Sequence, residues 1–276
     1  MNSERRGPGF YVLTAFFVLF VLFLYGPLTT IFILSFQGPN GGLTFPMNGT
    51  SLHWFRNLLF EQQAVGDFGG AFSRSLVLGL MTMAATVVVS LLAGLAFRRR
   101  FLGAGPLFYL TIASLIVPSI LVSLGIGLAF NVTGLETAWY SSGFGAHLTW
   151  TLPFGLLIMF AVFNRFNPAY EEAARDLGAT PWQSFAHVVL PIILPSLVGV
   201  GLFGFTLSYD EFARSLMTAG TFNTLPLEIY GMTTNVTTPV LYALGTVTTL
   251  FSMAIIVLAL VAIAVMRRRR ARRVAG

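Results

Sequence analysis

The feature that most constrains this chain is a series of six apolar runs, at about Phe10–Phe36, Ala71–Phe97, Leu107–Phe130, Phe144–Phe163, Leu190–Leu207 and Val240–Met266. Each is close to or above the roughly 20 helical residues that cross about 30 Å of hydrocarbon. Backbone amides have no water to bond in that layer, so each run is expected to be an α-helix. Composition agrees: hydrophobic residues make up 55% of the chain, charged residues 9%, and mean hydropathy is +0.79. Ordinary soluble domains carry about 25% charged residues. The expected fold is an all-α integral membrane protein with six transmembrane helices. The first run is too long for a cleaved secretory signal and lacks a small-residue cleavage pattern at its end.

Arginine placement orients the bundle. All sixteen basic residues are arginine, and thirteen of them fall on one side: Arg5, Arg6, Arg98–Arg100, Arg165, Arg175, Arg267–Arg270, Arg272 and Arg273. Only Arg56, Arg74 and Arg214 fall on the other. Positive residues are retained on the cytoplasmic side, so both termini are expected there. The net charge of +6 is explained by this clustering beside apolar spans, and no nucleic-acid partner is expected. The outer face carries Glu61, Asp67, Glu136, Asp210, Glu211 and Glu228 and is net negative. The expected organisation is a first helix with its outer loop (1–68), a transmembrane core (69–266) containing a cytoplasmic loop (164–189), and a basic tail (267–276).

That loop is a polar island, and its end signals are local. Asn167 suits an N-cap, Pro168 the first helical position and Gly178 the stop, predicting a helix over Pro168–Leu177. Tyr170, Ala173, Ala174 and Leu177 share its apolar face, and Glu171, Glu172, Arg175 and Asp176 fall elsewhere. Thr180 and Gln183 have capping-box spacing with Pro181 between them, and so start a second short helix whose apolar side carries Trp182, Phe185 and Val189. Helices of about ten residues are marginal alone, so a docking partner is implied.

Glu172, Ala173 and Ala174, then Gly178 after three residues, then Val188, Leu190 and Pro191 after nine more, resemble the EAA signature of binding-protein-dependent ABC importer permeases. Val188 stands where the signature usually has Ile. From about Ser73 to Met266 the chain is similar to the spermidine/putrescine branch, through LSYDEF, TAG and LPLEIYGM. The resemblance implies a type I importer permease in a bacterial inner membrane. It also implies two copies of an ABC ATPase, a second permease subunit and an extracytoplasmic solute-binding protein. Glu172, Ala173, Ala174, Gly178, Leu190 and Pro191 would then couple the chain to the ATPase.

The chain has no GxxxxGK[ST] phosphate loop, so ATP hydrolysis is expected in another subunit. It has no cysteine, which excludes disulfides and thiolate chemistry, and His53, His147 and His187 are too scattered to form a metal or acid/base cluster. No cofactor, no metal and no catalysis are expected. Tyr209, Asp210 and Glu211, ending the fifth run, are candidates for a substrate path. Two readings stay open for them: a cavity-facing site for an organic cation with an aromatic wall, or an interfacial helix end. The alternatives for cargo and mechanism are an organic anion held by Arg74 and Arg214, or an ion-gradient-driven transporter. The latter would need more ionisable residues in its spans than are present. Gly199, Gly201 and Gly204 are candidates for close helix approach, and Pro118 and Pro195 for breaks or kinks.

Overall fold

A computed structural model describes residues 7–60, 66–99, 101–235 and 238–275. Glu4, Arg5, Arg6, Glu61 and Arg100 lie outside these residues. The described chain is almost wholly helical: α1 (Pro8–Leu34), α2 (His53–Phe60), α3 (Phe68–Phe97), α4 (Ala104–Ala113), α5 (Ser119–Val132), α6 (Phe144–Arg165), α7 (Ala169–Asp176), α8 (Pro181–Ser184), α9 (Leu190–Tyr209), α10 (Leu225–Asn235) and α11 (Val240–Ala275). Two π-helical turns, Trp139–Gly143 and Phe185–Val189, lead into α6 and α9. The basic tail continues α11 as helix through Ala275.

Five helical runs among the described residues are long and apolar enough to cross a membrane: Pro8–Leu34, Phe68–Phe97, Trp139–Arg165, Pro181–Tyr209 and Val240–Leu258. The expected third span is not one helix. It divides into α4 and α5, with Pro118 in an extended conformation (φ −53°, ψ 129°) as the N-cap of α5. Proline has no N–H to continue the helical ladder and pushes the residue before it out of helical geometry. Pro27, Pro153 and Pro195 lie inside α1, α6 and α9 without ending them.

The segment after Gly178 also differs from expectation. Thr180–Val189 is not a separate short helix; α8, the π turn and α9 form one 29-residue helical run, Pro181–Tyr209. Pro191 explains the wide turn, because it offers no N–H to the His187 carbonyl and its ring needs room there.

Two compact units are present: residues up to Gly66 with Gly231–Phe251, and Asp67–Tyr230 with the residues from Ser252 onward. In the first, Gln37 is fully buried, its side chain accepting from Asn48 N–H (2.8 Å) and donating to the Gly42 carbonyl (3.1 Å). The second is built on α3, α6 and α9. On α3, Ala71, Ser75, Thr82, Thr86, Ser90 and Gly94 are buried at spacings that are multiples of four or close to it, a ridge of small side chains. Without a hydrophobic drive between helices in lipid, such a ridge favours close approach and interhelical hydroxyl bonds. The Thr86 and Thr151 hydroxyls are bonded at 2.8 Å, and a Cβ built on Gly155 would lie 2.2 Å from Ser90 Oγ. Of the three glycines expected to permit close approach on α9, Gly201 and Gly204 face α3, while Gly199 faces open space. Met159, Phe163, Val189, Ile193, Leu197 and Val200 close the core at the end where α7 lies.

Candidate functional site

The corner between α7 and α8 is built from local capping. Asn167 Oδ1 accepts from Ala169 N–H (3.0 Å), and Pro168 stands one residue outside the helix. At the far end Ala179 N–H bonds the Ala174 carbonyl (3.0 Å) and Gly178 N–H bonds the Arg175 carbonyl (2.8 Å), the paired bonds of a Schellman stop. Gly178 takes φ 85°, a left-handed conformation that side chains resist. Thr180 and Gln183 then exchange side-chain and backbone bonds in a complete capping box.

This corner buries almost nothing. No residue of α7 is buried; Glu172, Ala173 and Gly178 are exposed, and Ala174 is half-buried. Leu177 is 90% exposed, Trp182 72% and Tyr170 54%. Leu177, Gly178, Ala179, Gln183, His187 and Val188 line an open groove of ≈ 420 Å³. Leu190 and Pro191 are half-buried, Leu190 against the core cluster, and they anchor the start of α9. The two glutamates of α7 face different ways. Glu172 is exposed, whereas the Glu171 side chain is 14% exposed and accepts from Arg98 Nη1 at 2.7 Å.

At the other end of α9, roughly 43 Å away at 1.5 Å per residue, the three candidate path residues part company. Tyr209 is buried, its ring stacked on Phe205 (5.7 Å between centroids) and edge-on to Phe72 (6.4 Å). Glu211 caps the next turn, its carboxylate accepting from Arg214 N–H at 2.9 Å. Asp210 is exposed and has no ion pair among the described residues. The protein around it nevertheless desolvates the carboxyl and raises its pKa above the ordinary aspartate value. Its position at the carbonyl end of α9 also places a negative charge where the helix dipole disfavours one.

Sequence reasoning missed the cluster beneath these residues. Arg214 is fully buried, with Nε donating to Thr149 Oγ1 (3.2 Å), Nη1 to Ser119 Oγ (2.9 Å) and its guanidinium 4.5 Å from the Trp150 ring centroid. Burial lowers its pKa, and the nearby Glu211 charge opposes that shift. His147, also buried, joins Ser208 (2.7 Å) and Ser215 (2.9 Å). The partners stand 61 to 95 residues apart, so spacing gave no sign of them. Arg74, another outer arginine, is held by Asp67 (2.8 Å) and the Asn223 carbonyl (2.7 Å), and the Arg74–Asp67 bond holds the Asp67 pKa below the ordinary value. Among the described residues no group of three His, Asp or Glu side chains is placed to hold a metal.

Residues 86–272 match the model of a family described as binding-protein-dependent transport system inner membrane component. The chain is 29% identical over 254 residues to the spermidine/putrescine transport system permease protein PotC of Haemophilus influenzae, covering 90% of this chain and 95% of that protein. It is 27% identical over 237 residues to the putrescine transport system permease protein PotI of Escherichia coli, covering 81% and 80%. Among solved structures, a bacterial ABC transporter involved in import of the acidic polysaccharide alginate superposes with TM-score 0.67 over 94% of each chain at 16% identity. The MetNI methionine ABC transporter, inward facing, superposes with TM-score 0.57 over 75% of this chain and 98% of that one at 17% identity. At such identities these two likenesses speak for the fold alone.

Proposed function

Because the chain belongs to the family of binding-protein-dependent transport system inner membrane components, we propose that it is the membrane-spanning, non-catalytic permease subunit of an ATP-driven polyamine importer. In this reading it crosses the inner membrane six times, with α4 and α5 together making the third crossing and both termini cytoplasmic. An ABC ATPase docks on the α7–α8 corner, a second permease subunit completes the path, and a solute-binding protein delivers cargo from outside.

The observation that carries the reading is mechanical. The docking corner and Asp210 stand at opposite ends of a single helical run, Pro181–Tyr209. Force applied to the corner by ATP-driven closure of the ATPases enters α9 through its first turns, with no flexible linker between, and moves the outer end as part of a rigid body. Glu172, Ala173 and Ala174 present the docking face, Gly178 sets the angle of the corner, and Leu190 and Pro191 seat the rod in the core. Glu172 is free to meet a basic group of the ATPase.

Polyamine cargo is supported by the relatives, which are spermidine/putrescine and putrescine permeases, and by charge. Among the described residues the carboxylate of Asp210 is exposed and has no ion pair, as a site for an ammonium group requires. Arg74 is engaged and Arg214 buried, so neither of these two arginines is free to hold an anion. Cells carrying the whole system should take up labelled putrescine or spermidine, and Asp210→Asn should reduce that uptake by about tenfold or more while the complex still assembles. Normal cation uptake by the variant would remove Asp210 from the path. Uptake of sulfonates alone by the wild type would remove the polyamine reading.

A further inference from the structure

We propose that Arg98 is a positioning residue for energy coupling: its ion pair with Glu171 latches α7 to the ends of α3 and α6, so that all three move with α9. The inference rests on the reading of α7 as the ATPase-docking helix.

α7 has eight residues and buries none, so its own packing does not fix its direction. It is joined covalently to α6 through 166–168 and to α8 through 177–180, each joint held by local hydrogen bonds. Arg98 supplies a further restraint. It is the C-cap of α3, and its Nη1 donates to Glu171 Oε1 at 2.7 Å. Its guanidinium lies 5.2 Å from the ring centroid of Phe163, on α6, and 5.3 Å from that of Phe166, the C-cap of α6. Phe166 in turn meets Tyr170 of α7 edge-on at 6.2 Å. One side chain thus joins three elements at the end of the bundle.

The environment makes this more than a solvated surface pair. The Arg98 and Glu171 side chains are 25% and 14% exposed, and two aromatic faces restrict the guanidinium, so neither partner samples the freedom that weakens exposed pairs. The other oxygen of Glu171 faces Arg175 Nη2 at 3.7 Å, four residues on, which orients the carboxylate along α7. Glu172 is left exposed for the partner. The adjacent acids of α7 therefore divide their work, Glu171 holding the helix to its own bundle and Glu172 facing outward.

A latch of this kind separates attachment from transmission. Without it the ATPase can still grip α7, but part of its stroke swings α7 about Gly178 and Phe166 and does not reach α3 and α6. The test uses the complete complex of permeases, ATPase and binding protein in proteoliposomes. Measured together are the ATPase retained on the permeases, ATP hydrolysis and solute uptake per ATP. In Arg98→Gln and in Glu171→Gln, ATPase retention and hydrolysis should stay near wild type while uptake per ATP falls about tenfold. The double variant should be no worse than either single, because one interaction has been removed. Arg98→Lys should fall between, keeping the charge and losing the planar fork. Glu171→Gln leaves every arginine in place, so it carries the test if Arg98→Gln inserts poorly. Uptake per ATP within about twofold of wild type in Glu171→Gln, or losses that multiply in the double variant, overturns the latch. Loss of ATPase retention also overturns it, since the pair would then serve attachment. The parent reading fails separately, if the wild-type complex retains no ATPase or shows no ATP-driven uptake.

Discussion

Replacement of Gly178 tests the corner most directly, because the structure isolates a single physical effect. A Cβ at this position meets nothing within 4 Å, so a side chain causes no clash. What remains is the backbone, held at φ 85° by the Schellman bonds from Ala179 and Gly178 to the end of α7. A left-handed conformation costs an ordinary L-residue roughly 1–2 kcal/mol, and Asn less, because its short polar side chain bonds locally. A β-branched residue sits at or above the upper end of that range. A cost of 1–2 kcal/mol lowers the population of the native corner relative to its alternatives by a factor of about 5–30. If the ATPase binds only the native corner, its apparent affinity falls by up to the same factor.

Binding of the ATPase to detergent-purified permease should therefore rank Gly178 first, then Asn, then Ala, with Val last and weaker than wild type by up to about 30-fold. Hydrogen exchange at the Ala174–Ala179 amides should speed up in the same order, since the Schellman bonds open more often. Uptake should follow. If Asn bound worse than Val, size or polarity at the interface would govern the site and backbone strain would not. If all three replacements bound within about twofold of wild type, the corner would not be what the ATPase reads.

Other expectations follow from buried contacts and charge. Gly155→Ala places a methyl 2.2 Å from Ser90 Oγ and should destabilise the detergent-solubilised protein by about 1–3 kcal/mol in thermal unfolding; adding Ser90→Gly should restore much of the loss, and no rescue would mean that α3 and α6 are not packed as described. Arg214→Ala removes two charged hydrogen bonds and the Trp150 contact and should lower stability by about 3 kcal/mol, whereas an unchanged unfolding temperature would show that the buried cation contributes nothing net. Partial desolvation by the surrounding protein raises the pKa of Asp210, so its carboxylate protonates at higher pH than an ordinary aspartate: cation uptake should fall as external pH drops toward that raised value, and Asp210→Asn should be low and insensitive to the same change. The sign for stability is the reverse, because ionising Asp210 is costlier in the folded state and that cost disappears as pH falls. Asp67, held below its ordinary value by Arg74, gives stability that is present above the unfolded pKa and lost as pH falls through the folded one.

Features that depend on neighbours in sequence were legible, and those that depend on distant pairs were not. The Thr180–Gln183 capping box and the stop at Gly178 are written within a few residues and are found in the structure. The spans were legible from length, except where a proline intervened. Four internal prolines, Pro27, Pro118, Pro153 and Pro195, look alike in apolar sequence, yet only at Pro118 is the helix interrupted, α4 ending at Ala113 and α5 starting at Ser119. The difference is tertiary. Just before the break Ser114 Oγ bonds the Thr111 carbonyl at the end of α4 and the Thr149 carbonyl of α6, and just after it Ser119 Oγ accepts from Arg214, so polar side chains tie the break to its neighbours. In sequence Arg98 is one of the clustered arginines that mark topology, and nothing near it points to Glu171, 73 residues away.

Arg98 and Arg214 stand at opposite ends of the α3–α6–α9 unit, and the contrast with its interior bears on how a stroke crosses it. Arg98 ties α3, α6 and α7 together; Arg214 ties the turn after α9 to α6 through Thr149 and Trp150 and to the start of α5 through Ser119. Between them the helices meet through small residues and hydroxyls, with Thr86 against Thr151 and Gly204 against Thr86. Close backbone packing of this kind resists shear: an added methyl at Gly155 would clash with Ser90, and one at Gly201 or Gly204 would sit tightly against α3. In the mechanism proposed above, the interior would transmit motion while the two arginines decide which elements share it. Substitutions in the middle should therefore appear first as lost stability, and substitutions at Arg98 as ATP hydrolysis without its full yield of transport.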